Sequence, residues 1–190
     1  MKNVLILFLL AVLSACSSQP PVPENHFYQL SAPQVKKNPL TATKSILVHR
    51  PSASGIYNER SMLYVEQRKP LAIKRYHYHL WVRPPAILVR DYLVAYLRDS
   101  GTFTKVLTRK TTAGSIAELN IYIQHFEHIL DGARTRVVIE FGVTIVQQEK
   151  QLIKTFRVEQ LAGDQSVHAA ARAFSQALDK VAGRILKDMN

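Results

Sequence analysis

Cysteine is almost missing from this sequence, which has one in 190 residues. A single thiol excludes a disulfide within the chain and any zinc or redox site built on Cys-x-x-Cys pairs. Glycine and proline are also scarce, at 7 and 9 residues, which excludes collagen-like and low-complexity chains. No apolar run reaches the 18 or so residues that a membrane-spanning helix needs. With 47% hydrophobic and 21% charged residues, a chain of this length favours one globular domain.

Acidic residues are the second shortage. The chain has 14 Asp and Glu against 25 Lys and Arg, a formal net charge of +11. This excess is compatible with nucleic acid or an anionic membrane as a partner, and charge alone does not choose between them. The catalytic signatures GxSxG, HExxH and GxGxxG and the Walker phosphate loop are also missing. We therefore predict no catalytic residues, no cofactor and no enzyme activity.

The N-terminus indicates where the protein resides. Lys2 precedes ten apolar residues, 4–13, which are too few to span a bilayer and are typical of a secretory signal peptide. The run ends in Leu13-Ser14-Ala15-Cys16, which resembles the bacterial lipobox. We expect residues 1–15 to be removed as a lipoprotein signal peptide, and Cys16 to carry a diacylglyceryl group on sulfur and a palmitate-type acyl chain on its new amine. The alternative is an ordinary signal peptide with a chance cysteine.

Lipidation would anchor the protein to a membrane without a spanning segment. Three acyl chains exceed the two signals that stable anchoring requires. Residue 17 is Ser and not Asp, which by resemblance to enterobacterial sorting rules favours the periplasmic face of the outer membrane over the inner membrane. A periplasmic domain meets no nucleic acid, so we expect none as a partner. Residues 16–26 are predicted to form a lipidated, Pro-rich tether, and residues 27–190 the folded domain.

The hydrophobic pattern predicts an α/β fold. Short strands are expected at 27–30, 45–49, 62–66, 73–79 and 102–107, and a helix begins at Pro84-Pro85 and ends before Gly101. Three segments with strict alternation, around 117–124, 136–145 and 152–159, predict an antiparallel meander. A last helix is expected from about Asp164, with that residue as its N-cap. Together these elements predict a single-domain sandwich, in which two long helices pack on one face of a mixed β-sheet that contains a three-strand meander.

Histidines and basic residues are the polar groups that could bind ligands. His77 and His79 share a strand face, and His125 and His128 lie at a strand end, but a metal site needs a third ligand, so we predict surface histidines and no metal. The basic residues cluster around the middle strands and the first helix. They could face anionic lipid headgroups or an acidic partner, and the alternative is a solvated face that keeps the protein soluble. They are Arg68, Lys69, Lys74, Arg75, Arg83 and Arg90.

The outer side of the meander is the predicted interaction surface. If odd positions point inward, Tyr122, Phe126, Val138 and Val146 lie outside the core register. No third layer covers them, so we expect this face, or the adjacent sheet edge, to contact a partner or another copy of the chain. Trp81 is the only Trp, and we predict that it fills the core where a strand joins a helix.

An ordered set of short motifs resembles one family along the whole mature chain. The motifs are Phe27-Tyr28-Gln29-Leu30, the segment 60–64, the segment 76–85 with Tyr78, Trp81 and Pro84, and the segment 100–106. Together with the lipobox they resemble the ABC-type transport auxiliary lipoprotein family, the PqiC-like lipoproteins of Mce lipid-transport systems. The segment 80–83 departs from the family, which more often has a polar or acidic residue between Trp and Pro.

The resemblance implies a lipid-anchored periplasmic accessory subunit of an MCE/ABC-type lipid-transport system, which contributes to envelope integrity. Its expected partners are an MCE-domain protein and associated transporter components, and it is neither an ATPase nor a permease. Two other classes stay open at this point. One is a periplasmic lipoprotein that regulates a cell-wall synthase or another envelope complex. The other is a lipid-modifying enzyme, which would need a nucleophile–base pair in a cleft.

Overall fold

A computed structural model describes residues 22–35, 37, 44–110, 116–132 and 134–189. The predicted signal peptide and Cys16 lie outside these residues. No helix in the described ranges is long and apolar enough to cross a membrane. The elements in chain order are β1 (His26–Tyr28), β2 (Lys44–Val48), β3 (Ser52–Ala53), a 3₁₀ helix (Gly55–Asn58), β4 (Ser61–Glu66), β5 (Ile73–Trp81), α1 (Pro85–Asp99), β6 (Phe103–Leu107), β7 (Ile116–Asp131), β8 (Arg134–Gln147), β9 (Lys150–Leu161) and α2 (Val167–Met189).

The strands form one mixed sheet, with β7 at its centre. On one side, β7 pairs antiparallel with β8, and β8 pairs antiparallel with β9, so the predicted meander is confirmed. On its other side, β7 pairs in succession with β2, β3 and β4, all of them parallel to it. Strand β6 extends the sheet beyond β2, while β5 and then β1 extend it beyond β4. The predicted single-domain α/β fold, with a mixed sheet and two helices, is confirmed.

Local chemistry determines where the helices begin and end. Helix α1 begins at Pro85, because proline has no N–H to lose in the first helical turn, and Gly101 follows the helix with a φ of 69°. The prediction that Asp164 caps α2 is wrong by about one half turn. Ser166 Oγ accepts the Ala169 N–H at 3.0 Å, which makes Ser166 the N-cap. Asp164 instead accepts the Ser166 N–H at 2.7 Å, and hydrogen bonding from the Ser166 side chain, then from this N–H, holds the pKa of the Asp164 carboxyl below the usual range.

The main core lies between the sheet and the two helices. The alternating inward residues of β8, from Val137 to Ile145, are all buried, as are those of β7 from Ala117 to Ile123. Trp81, at the end of β5, is 1% exposed, which agrees with its expected place at the strand–helix junction. Its ring centroid lies 5.3 Å from that of Phe174 on α2 and 5.6 Å from that of Phe126 on β7. These aromatic contacts join α2, near the C-terminus, to β5 and β7 of the sheet.

A β-bulge in β7 reverses the alternation expected from the sequence. Ile123 pairs with Phe141, but His125 pairs with Glu140, so Gln124 is an extra residue in the ladder. An extra residue shifts every following side chain to the opposite face. Phe126 therefore points toward the helices and is 1% exposed, and the prediction that it lies on the outer side is wrong.

Candidate functional site: the open face of the sheet

The side of β7, β8 and β9 that faces away from the helices is called the open face here. Its centre is a shallow groove of about 390 Å³, with Tyr122 and Ile153 among its lining residues. Tyr122 is 42% exposed and Ile153 is 69% exposed. Gly142 pairs with Tyr122, and a Cβ at this glycine would lie 3.8 Å from the Tyr122 Cβ. Because Gly142 has no side chain, one flank of the Tyr122 ring stays open to a ligand or a partner.

The four residues predicted for this surface do not form one patch. Tyr122 is on the open face and exposed, and Val146 is half-buried on the same face. Val138 also belongs to the open face, but it is only 3% exposed, because it packs with Val65 and Ile129 in a small second apolar cluster. Phe126 belongs to the opposite face. The expectation that these four residues lie together on one uncovered face is therefore wrong.

Ion pairs cover much of the open face beside this cluster. The Arg157 guanidinium contacts Glu140 at 2.7 Å and Glu159 at 3.1 Å, and Arg136 contacts Glu159 at 2.9 Å. Hydrogen bonds from Arg157, chiefly to Glu140, raise the pKa of its side chain above the usual value. Exposed pairs of this kind contribute only up to about 1 kcal/mol each to stability. Their main effect here is to leave this part of the face charged and charge-matched, unlike the groove around Tyr122.

A buried carboxylate lies at the border of the open face. Glu127 is 2% exposed, and its Oε1 accepts a hydrogen bond from the Tyr57 hydroxyl and lies 3.0 Å from His125 Nδ1. Burial, and then the bond to Glu127, raises the pKa of Tyr57 far above its usual value. A cavity of about 260 Å³ adjoins this carboxylate, and Val138 lines it as well. Sequence reasoning missed Glu127 as an outward residue, because the bulge before it carries no recognisable sequence signal.

This grouping brings together a carboxylate, a phenolic hydroxyl and an imidazole. Tyr57, Glu127 and His125 include no Ser, Thr or Cys that a base could activate. Within the described residues, no group of three or more His, Cys, Asp or Glu side chains could hold a metal ion. The buried hydrogen bond from Tyr57 to Glu127 connects the 3₁₀ helix to β7.

Two further histidines pair with tyrosines. His79 Nδ1 lies 2.9 Å from the Tyr28 hydroxyl, and His128 Nδ1 lies 3.0 Å from the Tyr76 hydroxyl. His128 is completely buried, not at the surface as expected, and burial lowers its pKa to about 4. Burial, with a smaller contribution from the nearby His26, also lowers the pKa of His79. At neutral pH both rings are uncharged.

Most of the basic cluster is paired with acids. The Nζ or guanidinium groups of Lys74, Arg75 and Arg83 each lie 2.6 Å from a carboxylate oxygen. Arg90 contacts Asp91 at 3.3 Å. Arg68 and Lys69, in the turn between β4 and β5, are exposed and form no salt bridge with any residue that the structure describes. The unpaired charge of the predicted cluster is therefore concentrated at this turn.

Two solved structures share this fold. Protein XCC0632 from Xanthomonas campestris, described as a DUF330 protein, superposes with a TM-score of 0.71 at 23% sequence identity, over 85% of this chain and 92% of that chain. A second, described as an uncharacterized protein, superposes with a TM-score of 0.75 at 16% identity, over 88% of this chain and all (100%) of that chain. Among curated proteins, none matches the sequence significantly.

The sequence also matches a family model directly. The model is that of the ABC-type transport auxiliary lipoprotein component, and it matches residues 28–186. The matched range runs from the last residue of β1 almost to the end of α2, so it includes the whole sheet beyond β1, the core and the open face. Because the match covers most of the chain, this protein belongs to the family of ABC-type transport auxiliary lipoprotein components.

Proposed function

We propose that this protein is a lipid-anchored accessory subunit of an MCE-containing, ABC-type lipid-transport system, located at the periplasmic face of the outer membrane. It acts by binding protein components of that system and catalyses no reaction itself. The observation that carries this proposal is the family match over residues 28–186. The lipobox-like segment that ends at Cys16, followed by Ser17, supports the anchor and the outer-membrane location.

The groove around Tyr122 and Ile153 is the proposed protein-binding surface. It combines an exposed aromatic ring and an exposed aliphatic side chain with polar neighbours, the composition that protein interfaces favour. Strand β9 lies next to the groove, and among the described strands only β8 pairs with it. The unpaired backbone groups of such an edge can pair with a strand of another chain. A transporter component or a second copy of this protein could bind in this way.

Side chains of α2 already protect part of that edge. The Arg184 Nη1 donates to the Arg157 carbonyl oxygen at 3.3 Å, and Lys180 Nζ donates to Gln160 Oε1 at 2.7 Å. The bond to the Arg157 carbonyl oxygen occupies backbone in the C-terminal half of β9, whereas the α2 contact in the N-terminal half, the ion pair of Lys154 with Asp188 at 2.8 Å, joins two side chains. The proposed strand pairing therefore uses the N-terminal half, beside Ile153, where the groove is.

Affinity capture tests this function. The tagged lipoprotein, solubilised from membranes in mild detergent after chemical cross-linking, should retain an MCE-domain protein and a transporter permease. Recovery of a peptidoglycan synthase instead would favour the regulatory alternative and contradict the transport role. The substitutions Tyr122→Ala and Ile153→Lys should reduce this capture without lowering the melting temperature. The matched control is Tyr78→Ala, which removes another exposed tyrosine from β5, outside the groove.

A further inference from the structure

The turn between β4 and β5, residues 67–72, combines an exposed leucine with unpaired cations. Leu71 is 99% exposed, and Arg68 and Lys69 are exposed beside it. The turn is held in place by backbone hydrogen bonds, from the Lys69 N–H to the Glu66 carbonyl at 2.7 Å and from the Ala72 N–H to the Lys69 carbonyl at 3.0 Å. A single exposed leucine is common on protein surfaces, so its meaning depends on what surrounds it. This segment is called the basic tip below.

A third cation lies at the same end of the molecule. The Gln67 N–H donates to the Leu130 carbonyl at 2.9 Å, which places the basic tip beside the turn that joins β7 to β8. Arg134 follows that turn, is exposed and forms no salt bridge with a described residue. The acid of this turn, Asp131, lies 3.8 Å from the Arg136 guanidinium, which offsets its charge. This end therefore presents three unpaired cations around one fully exposed apolar side chain.

The direction of β1 brings the N-terminal tether toward this end. Strand β1 runs parallel to β5, with His26 opposite His79, and β5 begins at Ile73 next to the basic tip. The chain therefore enters β1 from the side on which the basic tip lies. The distance along β5 from His79 back to Ile73 is about 20 Å, at roughly 3.3 Å per residue. The ten residues from Cys16 to His26 can span at most about 35 Å, which is enough to reach the tip.

We propose that the basic tip docks on the anionic lipid surface in which the protein is anchored. Leu71 enters the headgroup layer, while Arg68, Lys69 and Arg134 contact lipid phosphates, as cations beside a lipid anchor do at anionic membranes. The anchor alone does not fix the orientation of the domain. Docking of the tip holds the sheet upright on the membrane, so that the groove around Tyr122, nine residues along β7 from Asp131, lies about 30 Å from the lipid layer. This inference rests on the anchor of the proposed function.

The experiment places a fluorescent probe at the tip of the full-length acylated protein. Because Cys16 is the only cysteine and lipidation consumes its thiol, Leu71→Cys creates a single labelling site for an environment-sensitive dye. The matched control is Glu149→Cys, in the exposed turn between β8 and β9 at the other end of the sheet. Both proteins are reconstituted into phosphatidylcholine vesicles and into vesicles of phosphatidylcholine mixed with phosphatidylglycerol. The readouts are the emission maximum and quenching by a bilayer-embedded quencher.

Docking predicts that the dye at position 71 shifts to the blue and is quenched in the anionic vesicles, more than in phosphatidylcholine and less at high salt. The dye at position 149 should stay in water throughout. The double substitution Arg68→Glu with Lys69→Glu, in the Leu71→Cys protein, should abolish the shift. Equal emission at positions 71 and 149 on both vesicles would overturn the proposal.

Two further results would overturn it in distinguishable ways. A shift that appears only after a transporter component is added would show that the tip contacts protein and not lipid. Failure of every variant to remain on vesicles would refute the lipid anchor, and with it the localisation in the proposed function. By contrast, a dye at position 71 that stays in water on a vesicle-bound protein refutes only the docking, and the affinity capture above is unaffected.

Discussion

The substitution Trp81→Ala removes the side chain that joins β5 to α2. The Trp81 ring is 1% exposed and packs against Phe174 and Phe126, with centroid distances of 5.3 and 5.6 Å. Burial of an aromatic side chain removes roughly 150–250 Å² from water, which corresponds to about 4–6 kcal/mol at 25 cal/mol per Å². Measured Trp→Ala costs of about 3–5 kcal/mol agree with this range. We expect a loss of about 4 kcal/mol, a large part of the 5–15 kcal/mol that stabilises a typical domain.

Urea unfolding of the purified lipoprotein in mild detergent measures this loss. Far-ultraviolet circular dichroism is the suitable signal, because Trp81 is the only Trp and its substitution removes the tryptophan fluorescence. Trp81→Phe is the first control, and it should cost less, since a ring still packs against Phe174. Val82→Ala, at the next and partly exposed position, should change the free energy of unfolding by less than about 0.5 kcal/mol. A Trp81→Ala protein as stable as Val82→Ala would refute the core placement of this ring.

Four further predictions test other parts of the structure. Cys16→Ala should leave an uncleaved precursor that is lost from the membrane fraction, and wild-type processing would contradict the anchor. Val138→Lys should lower the free energy of unfolding in urea by several kcal/mol, because it buries a charge, whereas Tyr122→Lys should not lower it. Equal effects of the two substitutions would mean that the open face is assigned wrongly. Tyr57→Phe should cost about 1–3 kcal/mol in the same assay, since it removes one of the two hydrogen-bond partners of the buried Glu127 carboxylate oxygen, and a neutral effect would contradict that contact. As pH falls from about 6.5 to about 4, the unfolded chain takes up a proton at His128 that the folded protein does not. The free energy of unfolding should therefore fall by at most about 1.4 kcal/mol per pH unit. An NMR titration that gives the His128 ring a pKa near 6.5 would contradict this mechanism.

Periodicity predicted the meander well because each of its strands has one face against the helices. The alternation in β8, where Val137 to Ile145 are buried at every second position, arises from burial against α2 and is visible in the sequence. The helix that begins at Pro85 was predictable for a similar reason, since proline and Gly101 act through local backbone geometry. Interactions of this kind depend on neighbours in sequence, and for that reason they can be identified without coordinates.

The bulge at Gln124 shows where such reasoning fails. Nothing in the segment 121–128 departs from an ordinary strand, yet one extra residue sends Phe126 into the core and Glu127 to the other face. The bulge lies next to the contact between the 3₁₀ helix and β7, where Tyr57 donates to Glu127. That contact joins residues 70 positions apart, and no local pattern encodes it. The predicted outward position was therefore right for Tyr122 and wrong for Phe126.

The sequence was sufficient for the α/β class, the helix positions, the meander and the family resemblance, because these follow from local periodicity and from short ordered motifs. The tertiary structure alone decided that β2, β3 and β4 share one edge of β7, that Val138 is covered, and that Arg68 and Lys69 keep their charges unpaired. Each of these features depends on which distant segments meet. The packing of the whole core determines which distant strands pair. A one-residue shift in that pairing changes the face on which every later side chain lies.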